Sequence, residues 1–281
     1  MRILMVASEA APYAKTGGLS DVLGALPREL VRQGEECAVV IPRYQCVSLH
    51  GAEKVFEGLP VQFSRSSYLC DVWQIVKDGV RIFFLDCPPL YDRSSLYGYD
   101  DDHIRFAVLS LGALGVARHL FPTDVIHAHD WHAALTPLYL KTFFPVDPQL
   151  QKIRTLFTIH NMYDCRIGHH QLHEVGLDDR YWRSDLLEFY NSASLLKAGL
   201  VYADHLSSVS PGYTREIQTP EYGYGYEGIL QARSHQLTGI LNGVDYEAWN
   251  PEIDHHLPAH YSVNDLAGKR ECKAKLLEHF A

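Results

Sequence analysis

Three short stretches of this 281-residue chain hold side chains that could do chemistry together. The first is Lys15-Thr16-Gly17-Gly18-Leu19-Ser20-Asp21. An apolar run from Ile3 to Ala7 precedes it, and apolar residues then recur at Leu19, Val22, Leu23, Leu26 and Leu30 with helical spacing. The order is strand, loop with two glycines, helix. Glycines let the backbone approach a ligand without a Cβ in the way. The first turn of a helix presents N–H groups and the positive end of its macrodipole, and Lys15 adds a mobile cation. The loop suits a phosphate or diphosphate. It is equally the composition of a plain turn, and it matches neither the GxGxxG nor the P-loop pattern.

The second stretch is His127-Ala128-His129-Asp130-Trp131-His132 and the third is Thr158-Ile159-His160-Asn161. His127 and His129 share one face of a strand, the arrangement of H-x-H metal sites. His160, His169, His170 and His173 follow at spacings with no fixed metal geometry, and no acidic residues are placed to complete a ligand set. No metal is expected at His127 and His129. A buried, hydrogen-bonded histidine in the core accounts for at least one of them.

Alternating strands and helices must position these residues. The first helix contains Pro27, which predicts a kink or local break, and ends at Gly34. Strands are predicted over 37–42, 124–130, 155–160, 206–210 and 237–241. Helices are predicted over 104–120, 133–143 and 211–217, and a charged amphipathic helix over the tail. Within 53–86, two β-rich runs, 68–76 and 80–85, flank Asp78-Gly79, a strong hairpin signal. They read as an antiparallel insertion beside the sheet. The alternation predicts an α/β, doubly wound, mainly parallel sheet, and ligands of such sheets bind beyond the carboxyl ends of the strands. Lys15, His129-Asp130, His160-Asn161, Ser210 and Asn242 all fall at those ends, which predicts one cleft.

Composition narrows the partners. A net charge of −9 argues against nucleic acid. The six cysteines form no CxxC and several sit in apolar runs, as buried thiols of a reducing, cytoplasmic compartment do. No run of about 18 apolar residues exists to cross a membrane, and the first residues are too short for a signal segment.

The motifs also carry a resemblance. Ser8 to Val22 resembles the opening of the bacterial glycogen synthase and plant starch synthase family, with its S-E and K-[TV]-G-G-L-[GAS]-D-V. H-[AV]-H-D-W, T-[IV]-H-N, V-Y-A-D, V-S-P-x-Y and E-I-x-T-P-E-x-G-x-G recur in order at 127–131, 158–161, 201–204, 209–213 and 216–225. Tyr91-Asp92-Arg93 and Leu96-Tyr97-Gly98 fit Y-D-R and L-Y-G.

The resemblance implies a Rossmann-like fold, the N-terminal half of a GT-B glycosyltransferase. Residues 1–255 would be the glucan-acceptor domain and 256–281 a linker helix towards a C-terminal donor-binding domain. The implied reaction moves glucose from ADP-glucose to the non-reducing end of an α-1,4-glucan with retention, without metal or cofactor. This chain would be catalytically incomplete alone. Lys15, Gly17 and Gly18 would hold the diphosphate. Asp130 and His160 would be catalytic, and Asn161, Asn242 and Tyr91 would contact sugar. The loop 162–170 departs from the family's L-A-Y-Q-G, and no role is carried over to it. Rival readings are a non-catalytic glucan-binding or regulatory module and a metal-dependent hydrolase on His127 and His129.

Overall fold

The computed structural model describes residues 1–280. Its strands are β1 (Arg2–Val6), β2 (Glu36–Pro42), β3 (Glu53–Gln62), β4 (Ser67–Lys77), β5 (Val80–Asp86), β6 (Val125–His129), β7 (Arg154–Ile159), β8 (Arg166–Ile167), β9 (Glu188–Phe189), β10 (Ser192–Ser194), β11 (His205–Ser208) and β12 (Leu237–Gly239). Its α-helices are α1 (Gly18–Arg32), α2 (Pro88–Tyr91), α3 (Asp102–His119), α4 (Asp130–Ala133), α5 (Leu135–Phe143), α6 (Leu195–Tyr202), α7 (Pro211–Glu216), α8 (Pro220–Gly223), α9 (Glu227–Ala232) and α10 (Ala267–Phe280).

The main sheet has nine strands in the order β12-β11-β7-β6-β1-β2-β5-β4-β3. Every pair from β12 to β5 is parallel, and β4 and β3 extend it antiparallel. Its central strands are apolar at nearly every position and buried on both faces, as parallel strands covered on both sides must be.

The antiparallel strands stand at the side of the sheet, as expected, but they are continuous with it. Asp78 (φ 51°) and Gly79 (φ 79°) make the expected two-residue turn between Lys77 and Val80, with both residues at positive φ as a type I′ turn requires. β5 then pairs in parallel with β2, so the hairpin's second strand belongs to the main sheet. The sequence reading had no strand at β3. Its pairing with β4 slips twice, between Lys54 and Phe56 and between Phe56 and Leu59, and such irregularities erase the period-2 pattern that marks a strand. Gly58 (φ 65°) sits at this irregularity, its N–H donating to Asp71 Oδ1 at 2.9 Å.

α1 runs through Pro27 as one helix, so the predicted break is not there. It closes at Gly34 (φ 92°), where Gly34 N–H donates to the Val31 carbonyl and Glu35 N–H to the Leu30 carbonyl, the Schellman pairing. The helix expected over 133–143 is two, α4 and α5, which part at Ala134. Pro137 has no N–H to give the Ala133 carbonyl, and the ladder breaks there. The small sheet β8-β10-β9, with strands of two or three residues, lies below what sequence periodicity detects.

The chain divides into two compact units. The first is Met1–Leu241 and holds both sheets. The second begins at Asn242 and contains α10, whose Leu276, Leu277 and Phe280 are exposed.

Close helix–sheet packing gives one test. A Cβ on Gly199 of α6 would lie 2.6 Å from a ring atom of Phe157 on β7, and both residues are buried. Gly199→Ala should therefore destabilise the first unit by about 1–3 kcal/mol, read as a lower urea midpoint. An unchanged midpoint would show that this contact is looser than described.

Candidate active site

After β1 the chain passes through α1 to β2 on one side, and it later returns to β6 on the other side of β1. This is the topological switch point, where a doubly wound sheet opens a crevice beyond its strand ends. The loop after β1 and the segments after β6 and β7 meet it, and these are the three stretches singled out in the sequence.

The loop after β1 is braced from within. Glu9, at the end of the apolar run, is 3% exposed. Its Oε2 accepts from the Thr16 N–H and, at 2.9 Å, from the Thr16 hydroxyl. Burial raises its pKa, and the Thr16 bonds oppose that shift. Ser8 Oγ shares a 2.9 Å bond with Tyr97 Oη, Ala11 N–H donates to the Ser20 carbonyl at 3.0 Å, and Ser20 Oγ donates to the Gly17 carbonyl at 2.6 Å. These bonds pin the start of α1. Among the described residues no side chain caps α1 at Gly17, and a Cβ on Gly18 would meet nothing within 4 Å. The Gly17 amide, like that of Thr16, is turned to Glu9, so the amides that can meet a ligand are those from Gly18 onward. Lys15 stands beside them with Nζ 2.6 Å from Asp21 Oδ1, both side chains about half exposed.

Asp130 joins the other two stretches. It follows β6 directly with φ 55°, a left-handed backbone that turns its side chain towards β7. Oδ1 accepts from the His160 N–H at 2.7 Å and lies 3.3 Å from the Asn161 N–H. Burial pushes its pKa up to about 7, against the two amides and with help from Glu9.

The histidines form linked pairs. His129 Nδ1 and His160 Nε2 are 2.9 Å apart. His127 Nε2 meets Thr158 Oγ1 at 2.6 Å, and that hydroxyl meets Ser207 Oγ at 2.6 Å. The His127 and His129 rings lie 4.0 Å apart. Burial lowers all three pKa values, to about 3 for His127 and about 4 for His160, so the rings are neutral at pH 7. His129 Nε2 is buried with no partner among the described residues. A buried N–H without an acceptor is rarer than a bare acceptor, which assigns the proton to His129 Nδ1. His160 Nε2 then accepts, and His160 Nδ1 carries an N–H. His160 is only half-buried and Asn161 is exposed, so these two face the crevice while His127 and His129 support them. Side chains able to ligate a metal gather in threes, among the described residues, only at Asp254, His255 and His256 in the second unit.

One predicted site residue of the first unit lies elsewhere. Tyr91, expected to touch sugar, is fully buried and its hydroxyl donates to the Arg105 carbonyl at 2.8 Å, so the structure places it in the core. A Y-D-R motif marks a turn here, with Pro88 and Pro89 starting α2. Asn242 is exposed and opens the second unit. Sequence reasoning gave no role to Glu9, Tyr97 or Arg105. Arg105 is fully buried on α3, bonded to Asp102 and to the Leu90 and Leu96 carbonyls, and it fastens the loop that brings Tyr97 to Ser8. The one signal was an arginine inside an otherwise apolar helix.

The sequence profile of the starch synthase catalytic domain matches residues 2–232. The chain belongs to that family. A glycogen synthase of Myxococcus xanthus (strain DK1622) is 43% identical over 293 residues, spanning 100% of this chain and 61% of its own length. A glycogen synthase of Clostridium novyi (strain NT) is 42% identical, spanning 99% and 59%. The catalytic domain of starch synthase IV from Arabidopsis thaliana, solved bound to ADP and acarbose, matches with a TM-score of 0.87 at 30% identity, over 99% of this chain and 59% of that one. The chain therefore spans about three fifths of these starch synthase relatives, and its fold is the Rossmann-like N-terminal half of their GT-B arrangement.

The neutral histidines set a pH dependence. His127, His132 and His160 titrate at about 3, 3 and 4 when folded, against 6.5 for a free side chain. Between those limits the unfolded chain binds more protons, so stability falls as pH drops below about 6.5. Asp130 acts oppositely, since its raised pKa favours the folded state at low pH and loses that contribution as pH rises towards 7. The histidines outnumber it, and stability should fall by about 2 kcal/mol per pH unit near pH 5.5. His132→Phe keeps the ring among Tyr97, Phe106 and Trp131 and should reduce that slope by about one proton, roughly 1.4 kcal/mol per pH unit. Urea midpoints that stay flat between pH 7 and 5 would contradict the buried neutral histidines.

Proposed function

We propose that the chain forms one wall of a retaining glucosyltransferase of the glycogen and starch synthase type. The reaction moves glucose from ADP-glucose to the non-reducing end of an α-1,4-glucan, in the cytoplasm, without a metal or cofactor. The observation that carries this reading is the convergence at the switch point of an anion-suited helix start and a wall of neutral polar groups. Family membership, relatives named glycogen synthase, and a starch synthase neighbour bound to ADP and acarbose support it.

In this reading the diphosphate rests on the first amides of α1 from Gly18 onward, with Lys15 supplying charge. Lys15 is half exposed and already paired with Asp21, so alone it contributes ~1 kcal/mol. Its effect grows when the crevice is closed and dry. His160 Nδ1–H points a neutral donor at the transferred sugar, and Asn161 offers its amide beside it. Asp130 acts through them as a positioning residue, because its carboxylate is occupied by their backbone N–H groups. These preorganised groups hold the transferred sugar by its hydroxyls, while the negative charge that develops on the departing diphosphate is met by the start of α1 and Lys15.

A protein carrying this chain together with the further length found in the relatives should transfer glucose from ADP-glucose to maltoheptaose. In that protein His160→Ala should lower kcat by about 10²–10³-fold with little change in the KM for maltoheptaose. Activity within twofold of the parent, or no transfer by the parent, would defeat the assignment.

A further inference from the structure

Two exposed tyrosines stand on backbone that bulky side chains avoid. Tyr190 (φ 47°) and Asn191 (φ 61°) form the tip of the β9–β10 hairpin, and Tyr224 (φ 52°) ends α8. Positive φ is rare for bulky residues, and it persists where the surroundings impose it and a function repays it. The rings are nevertheless 75% and 64% exposed.

The support beneath them is rigid. Phe189 stacks on the fully buried Tyr226 at 4.1 Å with the rings 4° from parallel. Tyr226 Oη donates to Asp164 Oδ2 at 2.5 Å and lies 2.9 Å from Ser194 Oγ. Tyr190 packs edge to face on Phe189 at 4.7 Å. A Cβ on Gly225 would meet Tyr190 Cε2 at 2.9 Å and Phe189 Cζ at 2.9 Å, so the glycine lets the two turns close together. The Tyr190 ring has one side against this base and the other open to solvent. Tyr224, next to Gly225, places a second open ring beside it.

Tyr213 links this part of the chain to the segment after β7. Burial raises the pKa of the Tyr213 hydroxyl, its bond to the Met162 backbone opposes that, and charge on Asp130 or Tyr224 would raise it further. Tyr213, on α7, thus meets the residue after Asn161, and α7 is followed in the chain by α8, which Tyr224 ends.

We propose that Tyr190 and Tyr224 form a stacking platform for pyranose rings of an α-glucan whose end lies at His160 and Asn161. The proposal rests on the glucan-acceptor reading above. A glucan is uncharged, and its sugar rings have flat C–H faces edged by hydroxyls. The negative face of an aromatic ring attracts such C–H groups. Two open aromatic rings suit this occupant, and their strain is the cost of holding them ready.

The test is maltoheptaose binding to the 281-residue chain by calorimetry, alongside melting temperature. Asn tolerates positive φ, so Tyr190→Asn with Tyr224→Asn should keep or raise the melting temperature while weakening binding about tenfold. Tyr190→Phe with Tyr224→Phe should bind within twofold of the parent. Parent-like affinity in the Asn double variant would overturn the platform, as would an equal loss in the Phe variant. A parent chain that binds no maltoheptaose at millimolar concentration would overturn the acceptor reading itself, and the platform with it.

Discussion

The bond from Asp130 to the His160 and Asn161 amides is the constraint on which the rest of the site depends. β6 and β7 are neighbours in the sheet, but neighbouring strands alone do not fix what lies beyond their ends. Asp130 does so by leaving β6 with φ 55° and reaching across to the first residues after β7. The link works because the carboxyl is dry. The same dryness raises its pKa to about 7 and keeps His127, His129 and His160 neutral. One environment thus supplies a rigid wall and keeps its histidines uncharged. Neutral histidines suit hydroxyl-rich sugar, while the charge needed for an anion is confined to the exposed Lys15 and the start of α1.

Much of this was legible in the chain. The strand–helix alternation implied a doubly wound sheet, and the positions of Lys15, Asp130, His160 and Asn161 at strand ends implied one crevice. Asp78-Gly79 located its turn. These signals are local, and a residue's own type and spacing carry them.

What was not legible depends on distant partners. β3 lost its alternation to irregular pairing with β4. Tyr91 sits in a motif shared with the family but turns inwards to the Arg105 carbonyl, and no spacing reveals which way a loop tyrosine points. Glu9 and Arg105 are charged residues at buried positions, and sequence patterns read charge as exposure. They are tolerated because Thr16 bonds to one, while Asp102 and two carbonyls take up Nε and Nη1 of the other, whose Nη2 has no partner among the described residues. The tyrosine platform shows the same limit, since the positive φ of Tyr190 and Tyr224 is set by the turns around them.

The most direct measurement is the pH titration of the His160 and Asn161 backbone amides by two-dimensional ¹H–¹⁵N NMR. If Asp130 is the buried clamp, both amide signals should shift together with one apparent pKa near 7, the value its burial sets. In Asp130→Asn that shared titration should vanish while the fold is retained. Amides that are flat between pH 5 and 8.5 in the parent, or that titrate unchanged in the variant, would contradict the clamp and the site built on it.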